Sequence, residues 1–98
     1  MPAFRLKVPD DLAALVRNLH PEIKSRIRDA LQAILDDPAL GKALQGELHG
    51  LRSLRVKRYR IIYRIVSDKK YLEIIAIGPR RHIYEETFKL ITREEKNQ

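Results

Sequence analysis

Hydrophobic positions change their period near Gly50, and the two halves of the chain predict different structures. Ala3 to Val8 (AFRLKV) alternates loosely and predicts a short strand, ended by Pro9. Asp10 or Asp11 then offers an N-cap. Leu12, Leu15, Val16 and Leu19 follow at i, i+3, i+4 and i+7, one face of a helix. His20-Pro21 breaks it, because the residue before a proline is pushed out of the α region. Pro21 in turn suits the first position of a second helix. Ile23, Ile27, Ala30, Leu31, Ile34 and Leu35 form its apolar stripe, and Asp36-Asp37-Pro38 ends it. The two helices make an αα-hairpin whose stripes need a shared partner, for which a sheet is the natural choice.

Ala39 to Gly50 is a turn-rich connection with Gly41, Gly46 and Gly50, which Leu44 and Leu48 would anchor. Beyond it the period is two. Leu54 and Val56 alternate with Arg55 and Lys57; Tyr59, Ile61, Tyr63 and Ile65 alternate with Arg60, Ile62, Arg64 and Val66. Ser67-Asp68-Lys69-Lys70 is a polar turn, and Tyr71 to Ile77 (YLEIIAI) is another strand, so the second half reads as an antiparallel meander stopped by Gly78-Pro79. Arg80 to Glu95 leaves room for a short C-terminal helix docking through Tyr84, Phe88 and Ile91. The expected class is α+β in the order β-α-α-β-β-β, an antiparallel sheet with the helical hairpin on one face and the other face left for function.

A chain of 98 residues without repeats or linkers fits a single domain, residues 1–98. The absence of cysteine excludes disulfides and thiolate metal sites and fits a reducing compartment. The N-terminus has no signal-peptide core, and the longest apolar runs, such as Ile61-Ile62-Tyr63, are too short to cross a membrane, so a cytoplasmic protein is expected. Charge changes the picture more. Met1 to His49 carries seven basic and seven acidic residues, whereas Gly50 to Gln98 carries thirteen and six and so supplies the whole net charge of +7. Gly50 to Val66 holds Arg52, Arg55, Lys57, Arg58, Arg60 and Arg64 and no acid. A focused positive field of this kind attracts a polyanion, either a nucleic acid or an acidic protein.

Alternation puts Arg55 and Lys57 on one face of their strand and Arg60 and Arg64 on one face of the next. If Arg55 and Arg60 project to the same side they make a cationic floor, and the turn joining the strands decides this. Arg80 and Arg81 would wall it. The planar guanidinium fork suits phosphate, and in phosphoryl transfer it stabilises charge building on the equatorial oxygens. Tyr59, Tyr63, Tyr71 and Tyr84 interleave with these cations, and a tyrosine can stack on an unpaired base. Tyr63 and Tyr71 read better as sheet packing. Tyr84 reads either as a site residue or as the anchor of the last helix. His20 reads as structural and His49 as exposed. His82, between the arginine pair and Tyr84, stands where a proton-transfer group would be useful. The carboxylates have no metal-ligand spacing, and no Gly-rich phosphate loop or nucleophile elbow occurs. An enzyme built from these residues would use side-chain electrostatics and acid–base chemistry, with no metal and no cofactor.

The stretch from Leu48 to Ile65 (LHGLRSLRVKRYRIIYRI) resembles the central motif of RelE-type toxins of the RelE/ParE superfamily. The motif is a leucine and glycine, a basic strand, here Leu54-Arg55-Val56, then Tyr59-Arg60-Ile61-Ile62-Tyr63. Downstream, Ile77-Gly78-Pro79-Arg80-Arg81-His82-Ile83-Tyr84 resembles the family's Gly-x-Arg-Arg-x-x-Tyr ending. The resemblance spans nearly the whole chain and implies a RelE-like fold and the toxin of a type II toxin–antitoxin pair. It further implies a metal-independent endoribonuclease that cleaves mRNA on the ribosome by attack of a ribose 2′-OH on the adjacent phosphate, with a cognate antitoxin as partner. By position, Arg55 corresponds to a basic residue of the cleft and Arg60 to the arginine holding the scissile phosphate. Arg80 or Arg81 corresponds to the leaving-group arginine, Tyr84 to the substrate-orienting tyrosine, and His82 to histidines that some branches use as acid or base. Arg52, Lys57, Arg58 and Arg64 are expected RNA contacts. The pattern departs in places. Ser53 and Arg55 stand where RelE carries two lysines, and arginine is a poor base, so the general base is unassigned. Lys57-Arg58 replaces a common Gly-Asp. A ParE-like inhibitor of DNA gyrase without ribonuclease activity, and a non-catalytic binding module of the same fold, are the alternatives.

Overall fold

The computed structural model describes residues 4–79 and 83–96, with side chains through residue 92. Strand β1 (Arg5–Lys7) leads into helix α1 (Asp10–Arg17), then helix α2 (Pro21–Asp36). A two-residue strand β2 (Lys42–Ala43) follows, flanked by single 3-10 turns at Pro38–Leu40 and Gly46–Leu48. Strands β3 (Arg52–Val56), β4 (Tyr59–Val66) and β5 (Tyr71–Pro79) and helix α3 (Ile83–Lys96) complete the fold.

Local chemistry explains most boundaries. Pro9 occupies the cap position of α1, and Asp10 and Asp11 lie in its first turn. They face the positive end of the helix dipole and make no capping hydrogen bond, which corrects the expectation that one of them is the cap. At α2 the cap is His20, whose Nδ1 accepts the Glu22 N–H at 3.2 Å, with Pro21 at the first helical position. Lys57 and Arg58 form the tight turn between β3 and β4. Lys57 adopts φ 56°, a conformation that favours glycine or asparagine.

The sheet has five strands in the order β1-β5-β4-β3-β2. The meander β3-β4-β5 is antiparallel as the period-two pattern predicts. The sheet as a whole is mixed, because β1 joins β5 in parallel, with Arg5 opposite Tyr71 and Lys7 opposite Glu73. Alternation within a three-residue strand fixes which face it covers and leaves its direction in the sheet open.

One face of the sheet packs on α1 and α2 through Val16, Ile27, Ile34, Val56, Ile61, Tyr63, Leu72, Ile74 and Ile77. The other face is not left open. Leu51, Ile62 and Ala76 are buried there against Ile83 of α3, with Leu44, Leu48, Tyr84 and Ile91 around them. Ile61, Ile62 and Tyr63, consecutive on the central strand, are all fully buried for this reason. α3 docks through Ile83, Thr87 and Ile91, spaced at i, i+4 and i+8, while Phe88, expected to dock, is 40% exposed. The buried Thr87 hydroxyl donates to the Ile83 carbonyl at 2.7 Å, so it adds no unpaired polar group to the interface.

A polar clasp closes the β2 end. The buried Tyr63 hydroxyl donates to the Pro38 carbonyl at 2.7 Å and accepts the Gly41 N–H at 2.8 Å. Gly41 is required there, since a Cβ would stand 2.6 Å from that hydroxyl oxygen. The Arg52 guanidinium donates to the carbonyls of Gly41 at 2.9 Å and Ala39 at 3.1 Å. Together these bonds tie the loop after α2 to β3 and β4.

Candidate functional site

The turn geometry decides the question of the cationic floor. Arg55 lies directly opposite Arg60 in the β3–β4 register, so both project to the face that carries α3. Gly78 of β5 lies opposite Arg60 on its other side. The missing side chain at Gly78 matters, because a Cβ would stand 3.0 Å from Ile83 Cδ1. The glycine therefore lets the start of α3 lie close over β4 and β5 and brings Tyr84 above Arg60.

The result is a compact polar cluster. The Arg60 guanidinium carbon lies 5.7 Å from the centroid of the Tyr84 ring, within cation–π range. Arg60 Nη1 donates to Ser53 Oγ at 3.2 Å, and Ser53 Oγ is 3.2 Å from the Tyr84 hydroxyl. Ser53 is buried. Arg60 Nε is also buried and has no hydrogen-bond partner among the described residues. The guanidinium as a whole is half-buried, and this partly desolvated setting strengthens its attraction to an oxyanion over the value in water.

Only some of the sequence candidates meet here. Arg60, Tyr84 and Arg55 share the face, although Arg55 Nε turns toward the hairpin tip and donates to the Lys57 carbonyl at 3.2 Å. Lys57 and Arg58 are exposed in the tip itself; the alternation that placed Lys57 beside Arg55 stops at Val56, where the strand ends. Arg64 shares the face but pairs with Glu73, its Nε donating to Oε1 at 3.0 Å. Arg52 is on the opposite parity of β3 and serves the clasp. Arg80, Arg81 and His82 lie outside the described residues. Their described neighbours flank the cluster: Pro79 is opposite Tyr59, and Ile83 packs over Gly78. Ser53, which the motif marked only as a departure standing where RelE carries a lysine, is the member that was given no role. Its signal was parity, two residues before Arg55 on the same strand face. Among the described residues no group of three His, Cys, Asp or Glu side chains is arranged to hold a metal, and no helix is long and apolar enough to cross a membrane.

This architecture, a short strand and helical hairpin followed by a basic meander and a terminal helix, is the RelE/ParE toxin fold. A double mutant of Escherichia coli RelE in the free state superposes with a TM-score of 0.75 at 18% identity, over 96% of this chain and 98% of that one. The matched chain of a RelBE toxin–antitoxin complex from Mycobacterium tuberculosis gives 0.70 at 24% identity, over 82% and 100%. A YoeB/ParE toxin from Agrobacterium tumefaciens gives 0.69 at 20% identity, over 79% and 99%. Among curated proteins none matches the chain. Residues 3–84 match the family described as the ParE toxin of the type II toxin–antitoxin system parDE. The chain belongs to this family and is a toxin of the type II toxin–antitoxin class.

Proposed function

We propose that this toxin is a metal-independent endoribonuclease that cleaves mRNA, acting at the ribosome, and is held inactive by a cognate antitoxin. The observation that carries the reading is Arg60: a half-buried cation beneath an aromatic ring, anchored through one nitrogen on a buried serine. Its fork meets two non-bridging phosphate oxygens, and the Tyr84 ring stacks on the adjacent base. The 2′-oxygen forms a bond to phosphorus as the bond to the 5′-oxygen breaks. The 2′-OH proton passes to a base, and the departing oxygen takes a proton. Tyr84 or His82 fills the acid–base roles and Arg80 or Arg81 stabilises the leaving group, as the motif resemblance implies. Arg55 extends the positive surface, as do Lys57 and Arg58. The antitoxin, on this reading, covers the same face with a segment of acidic or amphipathic character.

The test is primer extension on a message translated in a reconstituted system. New breaks that require translating ribosomes and vanish with Arg60→Ala, in a variant that still melts cooperatively, are expected. Intact message at toxin excess would refute the reading. A second reading, ParE-like inhibition of DNA gyrase without RNA cleavage, is favoured by the family description. It predicts intact message together with a DNA-damage response on induction.

A further inference from the structure

A second cationic surface lies around the corner from Arg60. The β3–β4 tip and the first turns of α2 enclose an open groove of about 680 Å³, lined by Glu22, Ile23, Arg26, Arg55, Lys57, Arg58 and Tyr59. It holds four basic residues and one acid. That acid, Glu22, pairs with Arg26 at 3.8 Å, a long and solvent-exposed contact that leaves the guanidinium available. Arg55 connects the two places. Its backbone stands opposite Arg60, and its Nε reaches the Lys57 carbonyl at the tip. Half-buried Tyr59 gives the groove an aromatic wall among the cations.

We propose that this groove is a separate subsite for the sugar-phosphate backbone of single-stranded RNA flanking the scissile position, with Arg26 and Arg58 on phosphates and Tyr59 against a base. The proposal rests on the ribonuclease reading and adds a path for the strand, from Arg60 over Arg55 and into the groove. Aromatic and cationic residues side by side suit a nucleotide chain, whereas an acidic peptide needs only the cations.

The probe is a 2′-O-methylated, uncleavable RNA oligomer of about twelve nucleotides, a span typical of single-strand sites, with a trinucleotide as the short control. Fluorescence anisotropy reads affinity across a salt series. Each phosphate contact to a single strand contributes about 0.7 to the slope of log K against log salt. Arg26→Ala with Arg58→Ala is therefore expected to lower the slope by about 1.4 for the long oligomer, about a sevenfold weaker salt response between about 50 and 200 mM. The trinucleotide should be nearly unaffected, while Arg60→Ala weakens both lengths. Arg17→Ala with Arg28→Ala, which removes the same charge from exposed positions on α1 and α2, should leave the slope unchanged. All four arginines are exposed, so melting temperatures should stay within a few degrees.

An unchanged slope in the Arg26/Arg58 variant, with Arg60→Ala still weakening binding, overturns the subsite and leaves the ribonuclease reading standing. Equal slope losses in both double variants reduce the groove to net charge and overturn it. Lost binding of a polyglutamate peptide with RNA binding intact makes the groove a protein socket, which also overturns it. No RNA binding by the wild type at low salt overturns the subsite and the reading beneath it together.

Discussion

Tyr63→Phe isolates the clasp, because it removes one oxygen and keeps the ring. Tyr63 is fully buried, and phenylalanine preserves the packing against Ile27, Ile34 and their neighbours. Two bonds disappear, one to the Pro38 carbonyl at 2.7 Å and one from the Gly41 N–H at 2.8 Å. Each neutral bond is worth about 1 kcal/mol net, and a buried N–H left without a partner costs about 1–3 kcal/mol. The two costs overlap at Gly41, so the expected destabilisation is about 2–3 kcal/mol. For a domain of this size that lowers Tm by about 10–20 °C. Urea unfolding followed by far-UV circular dichroism should show a lower midpoint with an unchanged m-value. A change under about 0.5 kcal/mol would refute the argument, since that is the range of a surface substitution. Gly41→Ala supplies an independent check. Its Cβ would meet the Tyr63 hydroxyl oxygen at 2.6 Å and ring carbon Cε1 at 2.8 Å. The substitution should cost less in the Tyr63→Phe background, where the closer clash is gone. Strict additivity of the two changes would mean the contact is not tight.

Three further outcomes follow from positions already described. Lys57→Gly should stabilise the protein by about 0.5–1 kcal/mol, because the turn holds a non-glycine residue at φ 56°; an unchanged or lower urea midpoint counts against this. Ser53→Ala should cost about 1–2 kcal/mol of stability and reduce RNA affinity, because Arg60 Nη1 loses its partner and the Tyr84 hydroxyl loses a neighbour; wild-type affinity and stability together would remove Ser53 from the site. Gly78→Val should cost about 1–3 kcal/mol and raise the rate of proteolytic cleavage in α3, since even the first added carbon meets Ile83 at 3.0 Å; unchanged protection of α3 would show that the helix start adapts freely.

The helical hairpin and the meander were legible because each depends on local signals. Stripes at i, i+3 and i+4, His20-Pro21 between helices, and strict alternation after Gly50 each specify an element without reference to the rest. What was not legible depends on distant segments. The parallel pairing of β1 with β5 is set by how the hairpin carries the chain back across the sheet, which no residue of β1 encodes. The two-residue β2 exists because Leu51, Tyr63 and Arg52 hold its loop in place: Leu44 N–H reaches the Leu51 carbonyl at 2.9 Å, and the clasp fixes Gly41. Among the residues of the candidate cluster, Arg60, Tyr84 and Arg55 were visible through the motif, and Arg55 through charge as well. Ser53 was visible only as a departure from the motif, since a short neutral residue in a basic strand gives no signal that its hydroxyl bridges Arg60 and Tyr84. Arg52 is the converse case. Its charge suggested a ligand contact, whereas parity turns it to the other face and its guanidinium is bonded to two loop carbonyls.

The last helix is more than a cover for the sheet, because it shapes the surroundings of Arg60. A guanidinium on an open sheet face would be fully hydrated, and its attraction to a phosphate would be weakened by water and salt. Here Ile83 and Tyr84 reach across from α3, over a glycine that admits them, and partly desolvate Arg60 beside the buried Leu51–Ile62–Ala76 patch. Burying that patch holds the helix down, and the docked helix sets the environment of the arginine. The two effects are coupled, so anything that lifts α3 should expose the apolar patch and weaken the proposed anion site together. A chain ending at His82, which keeps the arginine pair and the histidine, tests the coupling. It should bind a hydrophobic dye more strongly than the full chain, lose RNA affinity, and lose most of the further effect of Arg60→Ala. Retention of the full Arg60→Ala effect in the shortened chain would show that the arginine acts without the helix.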